Sequence, residues 1–141
     1  MPLTKDSDIA RVLNYTRSIA LLGASPEPGR PSHRVMKYLL EQGYKVYPVN
    51  PNAAGQAILG CTVYASLANI PVTVDMVDVF RHPRFLSEIV RQAIASRVST
   101  VWTQLGVVDA KAAALAEQAG LEVVMDRCPA IERPRLLAMG P

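Results

Sequence analysis

The chain has little from which a covalent or metal-held scaffold could be built. Two cysteines and two histidines are all that its 141 residues provide. Cys61 and Cys128 lie far apart, with no companion ligands at metal spacing, which argues against both a disulfide framework and a zinc cluster. Runs of one charge sign are missing as well. The net charge is +3, and the basic residues are scattered, a pattern that suits a small anionic molecule rather than a nucleic-acid track. No stretch approaches a membrane span, and Met1 to Asp8 carries both charge signs where a signal peptide would be apolar. The expectation is a cytoplasmic protein that uses neither nucleic acid nor membrane as a partner. Repeats and low-complexity segments are absent, and no Ser-His-Asp order or paired-carboxylate arrangement stands out.

Half the residues are hydrophobic, enough for one good core at this length. Strand and helix signals alternate along the chain, the pattern of an α/β protein with a parallel sheet and helices on both faces. An amphipathic opening helix carries Ile9, Val12 and Leu13, and a first strand spans Ser18 to Leu22. A helix follows to Gln42, with Ser32 as its expected N-cap, then a strand from Lys45 to Val49. Cys61 to Val63 offers a short edge strand. Further strands are expected at Val74 to Phe80, Thr100 to Thr103 and Glu122 to Met125, with helices at Pro83 to Ser96 and Asp109 to Ala119. The sheet therefore has five or six strands. The segment after Cys128 is less readable.

The stretch from Ser18 to Leu40 is the most informative, because it reads as a buried strand, a glycine turn and a capped helix. Such a turn brings main-chain amides and the positive end of a helix dipole beside Gly23, and a phosphorylated nucleotide is the natural ligand. In doubly wound sheets the ligand lies across the carboxyl ends of the strands. The loops that count are therefore Gly23-Ala24-Ser25, Asn50-Pro51, Phe80-Arg81-His82-Pro83 and Gln104-Leu105-Gly106. A nicotinamide dinucleotide fits less well, since Gly23 to Gly29 lacks the G-x-G-x-x-G spacing. The second strand also ends in Asn50-Pro51, where an acidic side chain would meet the ribose.

Six ordered blocks carry a resemblance. They are Gly23-Ala24-Ser25, Arg30-x-Ser32, Tyr47-Pro48-Val49-Asn50-Pro51, Val77-Asp78-Val79-Phe80-Arg81, Val101-Trp102-x-Gln104-x-Gly106 and Val124-Met125-Asp126-Arg127-Cys128. Together they resemble the stand-alone CoA-binding proteins, whose domain is similar to the N-terminal domain of the succinyl-CoA synthetase α subunit. The resemblance implies a single Rossmann-like domain at 17–137, preceded by a packed helix in 1–16 and followed by a tail at 138–141. It implies coenzyme A, or an acyl-CoA, as the ligand. By analogy the site comprises Gly23, Ala24, Ser25, Arg30, Ser32, Asn50, Pro51, Phe80, Arg81, Gln104 and Gly106. The synthetase performs its phosphohistidine chemistry with a further domain and subunit that this sequence does not show. His33 and His82 both fall in nucleotide-binding loops, so neither is carried over as the phosphorylated residue. The expected function is non-catalytic binding, with an NAD(P)-binding oxidoreductase or redox sensor and a CoA-binding subunit of a split acyl-CoA ligase as alternatives.

Several of these residues also have a purely structural reading. Gly23 could serve only the tight turn, and Arg30 and Arg34 could be solvated charges at a helix start, where positive charge is mildly unfavourable. That misfit favours phosphate contact for Arg30 and leaves Arg34 open. Phe80, at a strand end, is a better ligand candidate than Trp102. Cys128, beside Arg127, is either a low-pKa thiol able to form a mixed disulfide with the CoA sulfhydryl or an inert structural cysteine.

Overall fold

Every strand of the main sheet runs in the same direction, so each connection between neighbours must cross over the sheet and bring a helix or loop onto one of its faces. The computed structural model describes residues 1–137. The expected tail at 138–141 lies outside the described residues. The main sheet contains β1 (Ser18–Leu22), β2 (Lys45–Val49), β5 (Met76–Val79), β6 (Thr100–Thr103) and β7 (Glu122–Val124), in the order β2-β1-β5-β6-β7. Its order reverses between β1 and β5, the switch point at which doubly wound, Rossmann-like sheets bind ligands.

The two faces hold separate cores. Against one pack α1 (Asp6–Tyr15), α2 (Pro31–Glu41) and α5 (Pro129–Leu137), through Ile9, Val12, Met36, Leu39, Trp102 and neighbours. Against the other pack α3 (Leu86–Ala95) and α4 (Ala110–Gln118), through Leu86, Val90, Ala93, Ala112 and Ala116. The apolar residues of β1, β5 and β6 divide between these cores by alternation, which is why the strands read as nearly continuous hydrophobic runs.

Two elements differ from the sequence reading. Cys61 to Val63 does not extend the main sheet. Instead β3 (Ala57–Ile58) and β4 (Cys61–Thr62) pair antiparallel around Leu59-Gly60, both with positive φ, and the hairpin touches β2 through a parallel bridge from Val49 to Tyr64. The other difference is α5. Pro134 lies inside it and hid the helical pattern, yet Arg135 reaches Asp6 with both terminal nitrogens at 2.8 and 3.0 Å, tying α5 to α1.

Capping separates a correct expectation from an incorrect one. Asp109 caps α4, its carboxylate accepting from the amides of Lys111 and Ala112 at 3.0 and 3.2 Å, a contact worth about 1 kcal/mol. Ser32 does not cap α2. Arg30 holds the cap position without a side-chain bond, because Pro31, with its preset φ, takes the first helical place and moves Ser32 into the helix, where it is buried. Likewise Pro83 opens a 3-10 turn, Pro83–Phe85, and α3 begins only at Leu86.

Candidate functional site

One step beyond the last paired residues of β2, β1, β5 and β6 stand Asn50, Gly23, Phe80 and Gln104, a single row across the mouth of the sheet. Two residues back along the strands, and so on the same face, stand Pro48, Leu21, Asp78 and Trp102. This explains why candidates drawn from four distant loops converge: parallel register puts equivalent positions of successive strands side by side.

Gly23 has φ of +90°, and a β-carbon there would lie 2.3 Å from the Phe80 carbonyl oxygen. The fold itself therefore demands glycine. The amides of Gly23 and Ala24 do not wait for an anion, since both donate to the Val49 carbonyl, at 3.0 and 3.2 Å. The amides of Ser25 and Ser32, two residues that line the cleft above this row, make no hydrogen bond among the described residues and are donors left free in this loop and helix start.

Above the row opens a cleft of about 560 Å³. Gly23, Ala24, Ser25, Arg30, Ser32, Asn50, Phe80, Arg81, Gln104 and Gly106 all line it. Pro51 does not; it borders an adjoining slot of about 200 Å³ with Leu22, Val49, Leu67, Phe85 and Ile89. Gly23 and Arg81 belong to both walls, so the two spaces meet there. The cleft also takes Pro31, His82, Pro83, Leu105 and Val107, all neighbours of expected residues in the same loops.

The two arginines differ in what already engages them. Arg30 Nε donates to Glu27 Oε2 at 3.2 Å, and both side chains are exposed. Arg81 lies over the Phe85 ring, 4.5 Å from its centroid, with no carboxylate in ion-pair range among the described residues. Asn50 spends both ends of its amide on the loops: Nδ2 donates to the Ala24 carbonyl at 2.8 Å and Oδ1 accepts from the Asn52 amide at 2.9 Å.

The loop after β6 is held from β7. Asp126, at φ +61°, accepts from the Gly106 amide at 2.7 Å, while Thr103 Oγ1 donates to the Val107 carbonyl at 2.7 Å and accepts from the Asp126 amide at 3.0 Å. Trp102 Nε1 donates to the Arg127 carbonyl at 2.8 Å. Thus the Asp126-Arg127-Cys128 block braces the cleft without lining it. Cys128 is buried in the core beneath α5, away from the cleft, as a structural thiol would be. His33 Nδ1 lies 3.0 Å from the Ser25 carbonyl, and His82 Nδ1 accepts from the Arg84 amide at 3.1 Å. Two residues below the row, Asp78 is fully enclosed, and burial pushes its carboxyl well above the usual carboxylate range.

The family model described as CoA binding domain matches residues 17–134. The chain belongs to this CoA binding domain family. That domain is found alone and within larger proteins. The uncharacterized protein YneT of Bacillus subtilis is 32% identical over 122 residues, covering 86% of this chain and 89% of that one. The α subunit of an ADP-forming acetate–CoA ligase of Pyrococcus furiosus is 35% identical over 89 residues; the match covers 60% of this chain and only 19% of that subunit. Among solved structures, a hypothetical protein of Pyrococcus horikoshii superposes with a TM-score of 0.90 at 42% identity, over 97% of this chain and 96% of its own. A Thermus thermophilus protein gives 0.90 at 39% identity, over 95% and 100%. Those two matches span nearly the whole of this chain.

Proposed function

We propose that the chain binds coenzyme A or an acyl-CoA in the paired cavities at the mouth of the sheet, without chemistry of its own. The observation that carries this reading is the junction at Gly23 and Arg81 of a cleft that presents Ser25, Arg30, Ser32, Asn50 and Gln104 with a smaller, largely apolar slot. An elongated ligand with a flat base at one end, phosphates in the middle and a thin arm at the other matches that shape. The base would enter the slot beside Phe85 and Ile89. The phosphates would meet Arg81 and the free amides of Ser25 and Ser32. The arm would run past Gln104 and Gly106. Membership of the CoA binding domain family supports the ligand class, and the histidines, each engaged with backbone, support the lack of a reaction centre.

The nicotinamide alternative loses ground, because Asn50, at the end of β2, is already committed at both ends to the loops it joins. The match to an acetate–CoA ligase α subunit favours a second reading, in which this domain serves a catalytic partner chain. Native mass spectrometry of the purified protein, followed by calorimetric titration with CoA and NAD, tests the first reading. Retention of a CoA-mass adduct, or heat with CoA alone, supports it; heat with NAD and none with millimolar CoA refutes it. Co-purification with a larger nucleotide-dependent ligase chain would move the assignment to the second.

A further inference from the structure

Among the described residues, four enclosed side-chain oxygens have no hydrogen-bond partner: both oxygens of Asp78, Thr100 Oγ1 and Gln104 Oε1. They are not dispersed. Val77 and Val79 point into the α3/α4 core, so Asp78 points to the other face, as does Trp102, its partner across β5 and β6. Thr100 and Gln104 lie two residues either side of Trp102 and, by alternation, share that face. The ladder continues to Gln104, whose amide donates to the Val79 carbonyl at 3.2 Å. Asp78 and Gln104 are thus diagonal neighbours, separated by about 6.6 Å along the strands and about 4.8 Å across them, a span that their two side chains together can bridge.

An ionised carboxylate has no role at such a place. Asp78 is 0% exposed, and no cation pairs with it. Of the cations carried by the elements on that face, Arg127 and Arg135 are taken by Glu132, Arg11 by Glu122, Arg133 by Tyr44 and Gln42 and Arg34 by the Gly29 carbonyl, while Lys37 is exposed. A buried charge without a partner is far costlier than a buried neutral acid, so the carboxyl keeps its proton. A neutral acid is a donor, and of the two orphan acceptors diagonal to it, Thr100 Oγ1 and Gln104 Oε1, the one whose residue lines the cleft is Gln104 Oε1.

We infer that Asp78 is a positioning residue: its carboxylic O–H donates to Gln104 Oε1, turning the Gln104 amide so that Nε2 faces the cleft as a donor to bound ligand. One proton then satisfies two orphaned groups. It also gives the cleft floor a fixed polarity at a residue only 8% exposed. The link to ligand rests on the CoA reading above; the Asp78–Gln104 bond does not.

Infrared difference spectroscopy and calorimetry test the two parts separately. At neutral pH the carbonyl stretch of a neutral carboxylic acid should be present in the parent, vanish in Asp78→Asn, and move to higher frequency in Gln104→Leu as the bond is lost. Absence of the band, or a band that Gln104→Leu leaves in place, overturns the inference whether or not CoA binds. In calorimetry, Asp78→Asn, whose amide can still donate, should keep parental CoA affinity. Asp78→Val should weaken it about fivefold, with an unchanged or raised melting temperature, and should have no added effect in the Gln104→Leu background. Equal losses in Asp78→Asn and Asp78→Val, or additive losses in the double variant, would reduce Asp78 to a packing role. A parent without CoA affinity would refute the proposed function and leave the infrared result to decide this bond.

Discussion

The α-carbon of Gly23 faces the Phe80 carbonyl so closely that a β-carbon would sit 2.3 Å from its oxygen. Adjacent strand ends meet here without a side chain between them, beside the point where Gly23 and Arg81 border both cavities. Gly23→Ala therefore combines a left-handed conformation, costing about 1–2 kcal/mol, with a backbone clash that only separation of β1 and β5 relieves. Melting of the ligand-free protein should fall by more than about 5 °C. An unchanged melting temperature would show that the strand ends part easily. This substitution is consequently a poor probe of ligand contact, because it acts first on the fold.

Arg81 is the better probe. With no carboxylate partner and a place on both cavity walls, it can answer a phosphate without breaking an ion pair. A charge-assisted hydrogen bond contributes about 1.5–3 kcal/mol, so Arg81→Ala should weaken CoA binding about ten- to a hundredfold and leave unliganded melting nearly unchanged. Arg30→Ala should cost less, because Arg30 must first leave Glu27. Comparing CoA with dephospho-CoA in each variant shows which arginine reads the sugar phosphate. If neither variant changes the ratio of the two affinities, neither arginine does.

Thr103 joins the loop after β6 to the end of β7 through one donated and one accepted hydrogen bond, and it is fully buried. Thr103→Val keeps the shape and strands the Val107 carbonyl and the Asp126 amide. Each stranded group costs about 1–3 kcal/mol, so the expected loss is about 2–6 kcal/mol, with faster amide exchange at Gly106. Denaturant unfolding that moves by less than about 0.5 kcal/mol would mean that water replaces the hydroxyl.

The sheet, its helices and the ring of loops were legible because strand alternation and helix period are local signals, and parallel topology then dictates which loops meet. Ten of the eleven expected residues line one cleft for that reason. Pro51 fell to the neighbouring slot, since the turn after Asn50 carries it past the strand end. What sequence could not convey was pairing. That Arg30 is held by Glu27, that Asn50 is occupied by its own loops and that the Gly23 amide is bonded to β2 all depend on where side chains and carbonyls finish in space. The hairpin β3–β4 was half visible, because strands of two residues are too short to show a period.

The buried acid at the centre of the sheet sets a pH dependence of definite sign. Burial raises the folded-state carboxyl of Asp78 well above its ordinary value, 3.8. Between those two values the native state holds a proton that the unfolded chain has released, and unfolding stability then falls as pH rises. The contribution is complete below pH about 3.8 and is lost progressively up to the folded-state value. Asp6 and Glu122 act in the opposite sense, because hydrogen bonds from Arg135 and Arg11 hold their carboxyls below the usual range. Their contribution is lost in acid, but both sit at the surface, so solvent screens it. Asp78→Asn removes the first effect and leaves the second. Urea unfolding from pH 5 to 8 should accordingly show a parent that weakens toward alkali and a variant that does not, the two curves diverging as pH rises. Parallel curves would mean that Asp78 ionises alike in both states and would overturn its assignment as a buried neutral acid.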